Sequence, residues 1–304
     1  MHKKGIALLI TLLFIMAITV SIGIGLKYIN SASNELSKEN FMLENFAVIN
    51  DALAMLKKSQ KIALLAKEES SEVFYTILHE ASFIPYENSG LNVTLELSSA
   101  RSKFNPNTLI DENSTKINEV KYQALKEYLK NNNLSDNYIN ILLDSMSGIK
   151  SDLSYRTGIY DEKPYLFRDY ISSDKHLSEL NDFYTSLEHN NDIKNINFNN
   201  LFYFSKNKKM AIDLNFATAE VWELILGTNK QRAKQLSAGG GFYENIESLS
   251  LSDSEKLKLS RFNVSYFEPY IDVKINIQRK NQNSYIRFEY NIKSKKGSNF
   301  SYEI

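Results

Sequence analysis

From Ile6 to Leu26 the chain carries no charged residue. That run of about 21 residues would extend roughly 31 Å as a helix, the thickness of a hydrocarbon core. No comparable run follows it. Residues 30–67 then hold neither Pro nor Gly, and Phe41, Leu43, Phe46, Ile49, Leu53, Leu56 and Leu64 recur near helical spacing among Lys and Glu. This pattern predicts a helix that leaves the apolar run and continues as an amphipathic stem. The Ala-rich stretch from Asp51 to Leu56 favours the same state.

Beyond the stem the period changes. Leu91, Val93, Leu95 and Leu97 alternate with polar residues and predict a half-buried strand. From about Lys116 to Met146 the period is helical, with Tyr122, Leu125, Tyr128 and Leu129 on one stripe and Ile139, Leu142 and Leu143 on another. Asn131-Asn132-Asn133 separates the two, and Ser135 or Asp136 is placed to cap the second. Ile271, Val273, Ile275 and Ile277 alternate again, as do Ile286, Phe288, Tyr290 and Ile292. Asn281-Gln282-Asn283 between them predicts a hairpin. There is also an internal echo. Phe104-Asn105-Pro106-Asn107-Thr108-Leu109 and Asp213-Leu214-Asn215-Phe216-Ala217-Thr218-Ala219 each set Asn and then Thr before a helical segment. Their side-chain oxygens suit the free amides of a helix start. In a chain this rich in Asn, chance is the alternative source of such an echo.

Composition narrows the function classes. Lys and Arg total 36, Asp and Glu total 36, and the formal net charge is +0. A dedicated nucleic-acid binder normally carries a basic excess. The length of 304 residues suggests roughly two domains at about 150 residues each. With 43% hydrophobic and 12% aromatic residues, global disorder is excluded. The absence of Cys removes thiol catalysis, disulfides, iron–sulfur ligation and Cys-based zinc sites, and leaves the redox compartment open.

Lys3 and Lys4 flank the apolar run on its short side, so the positive-inside bias places the N-terminus in the cytoplasm and the rest across the membrane. A cleaved secretory signal, a plain anchor and a prepilin leader compete for this segment. The first wants a shorter apolar part and a small-x-small site, for which Ser21-Ile22-Gly23 and Gly23-Ile24-Gly25 are poor versions. Lys4-Gly5-Ile6 followed by Ala7-Leu8-Leu9 resembles a type IV prepilin leader. That resemblance implies cleavage after Gly5 by a prepilin peptidase and N-methylation of Ile6.

The order of features then becomes specific. A leader-like start, a stem, a strand, Phe104-Asn105-Pro106-Asn107-Thr108-Leu109, helices, Leu214-Asn215-Phe216-Ala217-Thr218-Ala219-Glu220-Val221 and terminal strands follow one another. This resembles the K-type minor pseudopilins of type II secretion systems over nearly the whole chain. The family's Phe-Asn-Leu-Asn-x-Leu motif matches Phe104, Asn105, Asn107 and Leu109, with Pro106 in place of Leu. Its Asn-x-Asn-Thr-Ala motif matches Asn215 and Thr218, with Asp213 for the first Asn and two residues inserted before Thr218. Leu142 to Asp152 matches a segment that ends in an acidic run, without the family's Trp, and Leu177-Ser178-Glu179-Leu180 follows as in the family.

Candidate chemistry is thin. His2, His79, His176 and His189 show no pairing at ligand spacing, and His79-Glu80 lacks the second His that a zinc helix needs. Gly239-Gly240-Gly241 lacks the Gly-Lys-Ser/Thr ending of a phosphate loop and reads as a turn. Leu226-Gly227-Thr228-Asn229 with Arg232 and Lys234 resembles a helix-hairpin-helix, a fold that contacts phosphates in nucleic-acid enzymes and that the K-type family uses without DNA. Asp152, Asp161, Glu162 and Asp169 lie in one loop-like region. Loop carboxylates suit calcium, and the family includes calcium-bound members; a solvated acidic loop is the alternative.

These readings give an α+β fold: a long N-terminal helix on a small antiparallel sheet, interrupted by a large insertion of two similar, SAM-like helical units. The expected segments are a leader (1–5), a transmembrane helix (6–28), a periplasmic stem (29–67), the start of the pilin-like part (68–103), a first helical unit (104–212), a second, helix-hairpin-helix-like unit (213–260) and terminal strands (261–304). No nucleophile–base or paired-carboxylate constellation marks an enzyme. The resemblance implies a minor pseudopilin at the tip of a secretion pseudopilus, single-pass in the inner membrane with its bulk periplasmic. Its implied partners are other minor pseudopilins, bound through the stem, and the prepilin peptidase, with no nucleic acid. Its fifth residue after Gly5, Ile10, stands where pilin-like subunits usually carry Glu, which implies a capping position. A type IV pilus or competence subunit and a membrane-anchored periplasmic binding module are the alternatives.

Overall fold

The computed structural model describes residues 2–80, 83–88, 90–111, 116–189, 191–280 and 282–303, and within the first helix the side chains of Lys27, Tyr28 and Ser31 onward. The surroundings of Gly5 and the side chains of Ile6 and Ile10 lie outside what the structure describes. Helix α1 (His2–Lys58) is continuous. Ser59 ends it: its backbone is extended, and its hydroxyl accepts from the Ile62 N–H at 3.4 Å to cap α2 (Gln60–Glu68). The expected stem is therefore two helices. Glu69, left-handed at φ 51°, closes α2 and the chain turns into α3 (Ser71–Glu80). One face of this assembly is buried: Phe41, Asn45, Ala52 and Leu56 of α1, Ile62 and Leu65 of α2, and Phe74, Ile77 and Leu78 of α3. Leu43, Phe46 and Leu64, expected within the same stripe, are instead exposed.

The expected single-pass inner-membrane location is corrected. Among the described residues no helix is long and apolar enough to cross a membrane. The apolar run that carried the expectation falls where side chains lie outside the described ones. The described part of α1 is studded with Glu35, Lys38, Glu39, Glu44 and Asp51.

After α3, β1 (Ile84–Asn88) and β2 (Leu91–Ser99) pair as an antiparallel hairpin, with Val93, Leu95 and Leu97 buried as the alternation predicts. The chain then leaves the sheet for two helical units. The first holds a 3-10 turn at Pro106–Leu109, α4 (Glu119–Asn131), α5 (Asp136–Ser145), α6 (Ile159–Glu162), α7 (Asp174–Glu188) and α8 (Phe198–Leu201). The second runs through β3 (Ile212–Asp213), α9 (Ala219–Leu226), α10 (Lys230–Ala238), α11 (Asp253–Leu259) and β4 (Val264–Ser265). Ser135 caps α5 and Thr218 caps α9. The chain re-enters the sheet as β5 (Tyr270–Arg279), β6 (Gln282–Asn291) and β7 (Lys296–Glu303). The five strands lie in the order β1-β2-β5-β6-β7, all antiparallel. Register puts Ile275 between Leu95 and Ile286, and Val273 between Leu97 and Phe288. The expected α+β architecture is the one observed.

Two apolar cores result. One lies between the sheet and α1–α3, the other inside the helical insertion. Each fully buried Leu, Ile or Phe contributes about 1.5–3 kcal/mol to its core. The seam between them is polar. On the sheet face turned away from α1, Lys274 stands opposite Arg287 and Asp272 opposite Glu289, which is unfavourable strand against strand. The diagonals resolve it. Arg287 Nε donates to Asp272 Oδ1 at 2.7 Å, and Arg101, with its side chain fully buried, donates to Glu289 at 2.8 Å. The Arg101 guanidinium also lies 4.1 Å over the Tyr270 ring. Lys103 joins this layer, and burial, then the nearby Lys274 and Arg287, hold its amine down to about 8.

Candidate functional site

The motif residues of the insertion do structural work at its two mouths. Each helical unit is closed where its incoming chain pairs in parallel with its outgoing chain. Phe104 N–H bonds the Leu201 carbonyl, and Tyr203 N–H bonds the Phe104 carbonyl. In the second unit Ile212 N–H bonds the Asn263 carbonyl, and Leu214 N–H bonds the Ser265 carbonyl. The exit of the second unit thus lies beyond residue 260. Asn107 accepts from the Ile171 N–H at 2.7 Å and donates to the Ile171 carbonyl at 3.0 Å. Asn215 accepts from the Tyr243 N–H at 2.7 Å and donates to the Tyr243 carbonyl at 2.8 Å. Both are buried side chains that mimic a strand partner. Asn105, Phe104 and Leu109 are buried beside the first lock, and Thr218 donates to the Asn200 carbonyl at 2.7 Å, tying the units together.

The glycine run belongs to the second lock. A side chain on Gly240 would collide with the Asn215 carbonyl, and one on Gly241 (φ 92°) would lie 2.8 Å from the Tyr75 ring. This tight turn lies against Tyr75 of α3, where Phe74, Tyr75, Phe216 and Phe267 interlock edge to face or tilted, with centroids 5.0–5.9 Å apart. The turn reading therefore holds. In the hairpin between α9 and α10, Gly227 is left-handed and Asn229 caps α10. Lys258 Nζ donates to the Leu226 carbonyl at 2.8 Å, and the Glu127 carboxylate stands beside Gly227. Arg232 is engaged by Glu255 and the Ser250 carbonyl. Lys258 and Glu127 thus both face the Gly227 turn and hold it against α11 and α4.

The structure does not bring the four carboxylates read as calcium candidates into one three-ligand group. Asp152 accepts from the Ser154 N–H at 3.1 Å, Asp169 pairs with Lys206 at 3.2 Å, and Asp161 and Glu162 are exposed on α6. Among the described residues no three His, Asp or Glu side chains are placed to hold a metal ion. The loop is instead organised by Asp144, which is fully buried on α5. Its oxygens accept the Arg156 N–H, the Thr157 N–H and the Thr157 hydroxyl at 2.7–2.9 Å, the work a cation would otherwise do. Asp144 sits within an apolar helical run, so no local pattern marks it as the organiser of the loop. Among the described residues the histidines do not assemble either. His176 is buried, with its pKa pushed down by that burial, while His79 is exposed and His189 ends α7.

The remaining surface of note is on α1. Opposite its buried face, Leu36, Leu43 and Phe46 are 58%, 66% and 58% exposed. Residues 31–40 are exposed all round, and from Phe41 onward one side rests on the sheet while the other stays free. Leu36, Leu43 and Phe46 thus leave an exposed apolar stripe on a helix whose other face is seated on the sheet.

No family model matches the chain, and no curated protein matches it. Among solved structures, a chain of the GspK–GspI–GspJ complex from the type 2 secretion system of enterotoxigenic Escherichia coli is similar, with a TM-score of 0.55 and 13% identity over 88% of this chain and 97% of that chain. The two share one fold. At that identity the likeness speaks for the fold alone.

Proposed function

We propose that this chain is an assembly subunit, a minor pseudopilin of a type II secretion pseudopilus that assists protein secretion across the outer membrane, and not an enzyme. One observation carries the reading. A long helix is seated by one face on a five-stranded sheet while its other face stays apolar and free. The likeness to a chain found in complex with two other secretion-system proteins supports it. On this reading the free face of α1 binds other minor pseudopilins. A prepilin peptidase cuts after Gly5, and Ile6 becomes the methylated first residue. Ile10 brings no carboxylate to pair with a neighbour's amine, and the bulky helical insertion blocks stacking above it, so the subunit caps the tip.

The test is site-specific photocrosslinking in cells from Leu43, with exposed Leu257 on α11 as the control position. Adducts from Leu43 to pilin-like chains, absent from Leu257, are expected. Equal or absent adducts, or normal secretion after deletion of the gene, would sink the reading.

A further inference from the structure

Two nearly buried polar side chains line one cavity between the helical units. Tyr128 of α4 is 4% exposed and Glu223 of α9 is 9% exposed. Neither the Tyr128 hydroxyl nor the Glu223 carboxylate takes a hydrogen bond or an ion pair among the described residues. The cavity measures about 120 Å³ and is walled by the end of α4, the segment 195–197, α9 and α10. It has the volume of roughly four waters at ~30 Å³ each. A carboxylate nine-tenths buried is costly unless a counter-charge or donors reach it. Burial pushes the Glu223 carboxyl above its ordinary range, Lys230 opposes the rise and Glu220 adds to it. After burial, the same two carboxylates push the Tyr128 hydroxyl up, so all three groups lie close together.

The cavity is polarised. Its buried side carries Glu223, Tyr128 and Glu220, and Asn200 donates to Glu220 Oε1 at 3.1 Å, leaving Oε2 for another donor. Its open side carries Lys230 and Lys234, both exposed and one turn apart on α10. Lys230 Nζ donates to Asn132 Oδ1 at 3.4 Å and makes no ion pair with Glu223. Lys234 has no ion-pair partner among the described residues. A bare metal ion suits this arrangement poorly, because two ammonium groups stand over it and no third carboxylate joins the two present. A bare anion would meet Glu220 and Glu223. A molecule with an ammonium at one end and a carboxylate a few bonds away answers both ends.

We propose that this cavity binds a small zwitterion of the α-amino-acid class, its ammonium on Glu223 and the Tyr128 oxygen and its carboxylate on Lys230 and Lys234. The ammonium supplies the donors that both buried oxygens lack, and the volume admits only a small side chain. The walls come from both helical units, α4 from the first and α9 and α10 from the second. A bound ligand therefore ties the units together and stabilises the insertion in proportion to its occupancy.

The probes are L-alanine, methylammonium chloride, sodium acetate and calcium chloride, each titrated into the full chain by calorimetry, with the urea midpoint as a second readout. L-Alanine is expected to bind saturably and to raise the midpoint. Methylammonium and acetate, each with one of the two charges, should bind about tenfold weaker or not at all. Glu223→Gln keeps the shape of the buried end, and Lys234→Gln changes only an exposed side chain. Each should weaken alanine binding about tenfold. Lys234→Gln should leave the midpoint of the unliganded protein where it is, so it decides the matter even if the buried variant fails to fold. No saturable binding of alanine would mean that the cavity holds water only, and would overturn the proposal. So would methylammonium or calcium binding as tightly as alanine, or alanine binding that Lys234→Gln leaves unchanged.

Discussion

Asp213 occupies in the second helical unit the place that Asn105 holds in the first. Asn105 accepts from the N–H two residues on, Asn107, at 3.2 Å, and Asp213 accepts from the N–H two residues on, Asn215, at 3.0 Å. Their second polar atoms differ in sense. Asn105 donates its amide to the Ser205 carbonyl at 2.9 Å, whereas Asp213 accepts the Glu268 N–H at 2.9 Å. The first lock is neutral and the second is ionisable. Burial pushes the Asp213 carboxyl up to about 7, against the lowering effect of those two N–H donors, and the Glu268 charge adds to the rise.

This difference makes one unit sensitive to pH. The folded state holds the Asp213 proton more tightly than the unfolded chain does. The associated stability is fully present below the ordinary Asp pKa, declines as pH rises, and is lost above about 7. Across that window the loss should be about 3–5 kcal/mol. Asp213→Asn should abolish the dependence but lower the baseline, because an amide would face the Glu268 N–H. Urea midpoints of both proteins from pH 4.5 to 8 check this. Parallel curves would show that Asp213 does not titrate in that window.

The Asn215 lock should be hard to replace. Asn215→Ala leaves the Tyr243 N–H and carbonyl without their side-chain partner and the Tyr266 carbonyl with the Ser71 hydroxyl alone, for a loss of about 2–4 kcal/mol. Asn215→Asp keeps the acceptor but turns an oxygen toward those two carbonyls, so it should be no milder. Equilibrium denaturation followed by the fluorescence of Trp222, buried in this unit, provides the readout.

Much of this was legible in the sequence. The alternations at 91–97, 271–277 and 286–292 are the buried strand faces, and Ser135 and Thr218 cap the helices they precede. The misses have physical causes. Leu43 and Phe46 looked like core because periodicity cannot say which of two apolar faces is turned inward when a helix also has a face for a partner. Strand β7 holds Lys296-Gly297-Ser298-Asn299-Phe300 and is half open to solvent, so it shows no alternation; its register comes from β6. Arg101 and Asp144 are buried charges whose partners lie 188 and 12 or more residues away. No local pattern announces them.

Gly240 should tolerate no side chain. The atom it would strike is backbone, the Asn215 carbonyl, which cannot rotate aside. Gly240→Ala is expected to destabilise by about 2–4 kcal/mol and to combine with Asn215→Ala less than additively, because both open the same lock. A double-mutant cycle that proves additive would mean that the turn and the asparagine act independently.

Processing and position follow from the proposed function. Mass analysis of the mature chain should find Ile6 as its first residue, methylated, and a bulky residue at position 5 should leave the chain uncut. An intact Met1 start, in cells with an active prepilin peptidase, would refute the leader. Labelled copies should mark one end of sheared fibres, and Ile10→Glu should lower function. Label along the shaft would refute the capping position.

The polar seam sets a last expectation. Arg101 and Glu289 are buried together, and removing one strands the other in a medium that solvates charge poorly. Arg101→Met should therefore lose about 3–5 kcal/mol, and Glu289→Leu a comparable amount. Arg101→Met/Glu289→Leu should recover most of that loss, because two apolar side chains need no counter-charge. The double variant also removes the guanidinium from above Tyr270 and from the Ala100 carbonyl, so recovery should stop short of wild type. Urea unfolding of the four proteins measures the coupling directly. If the double variant instead loses the sum of the single losses, the pair does not act as a unit. The seam between sheet and insertion would then be held by contacts that each charge makes on its own.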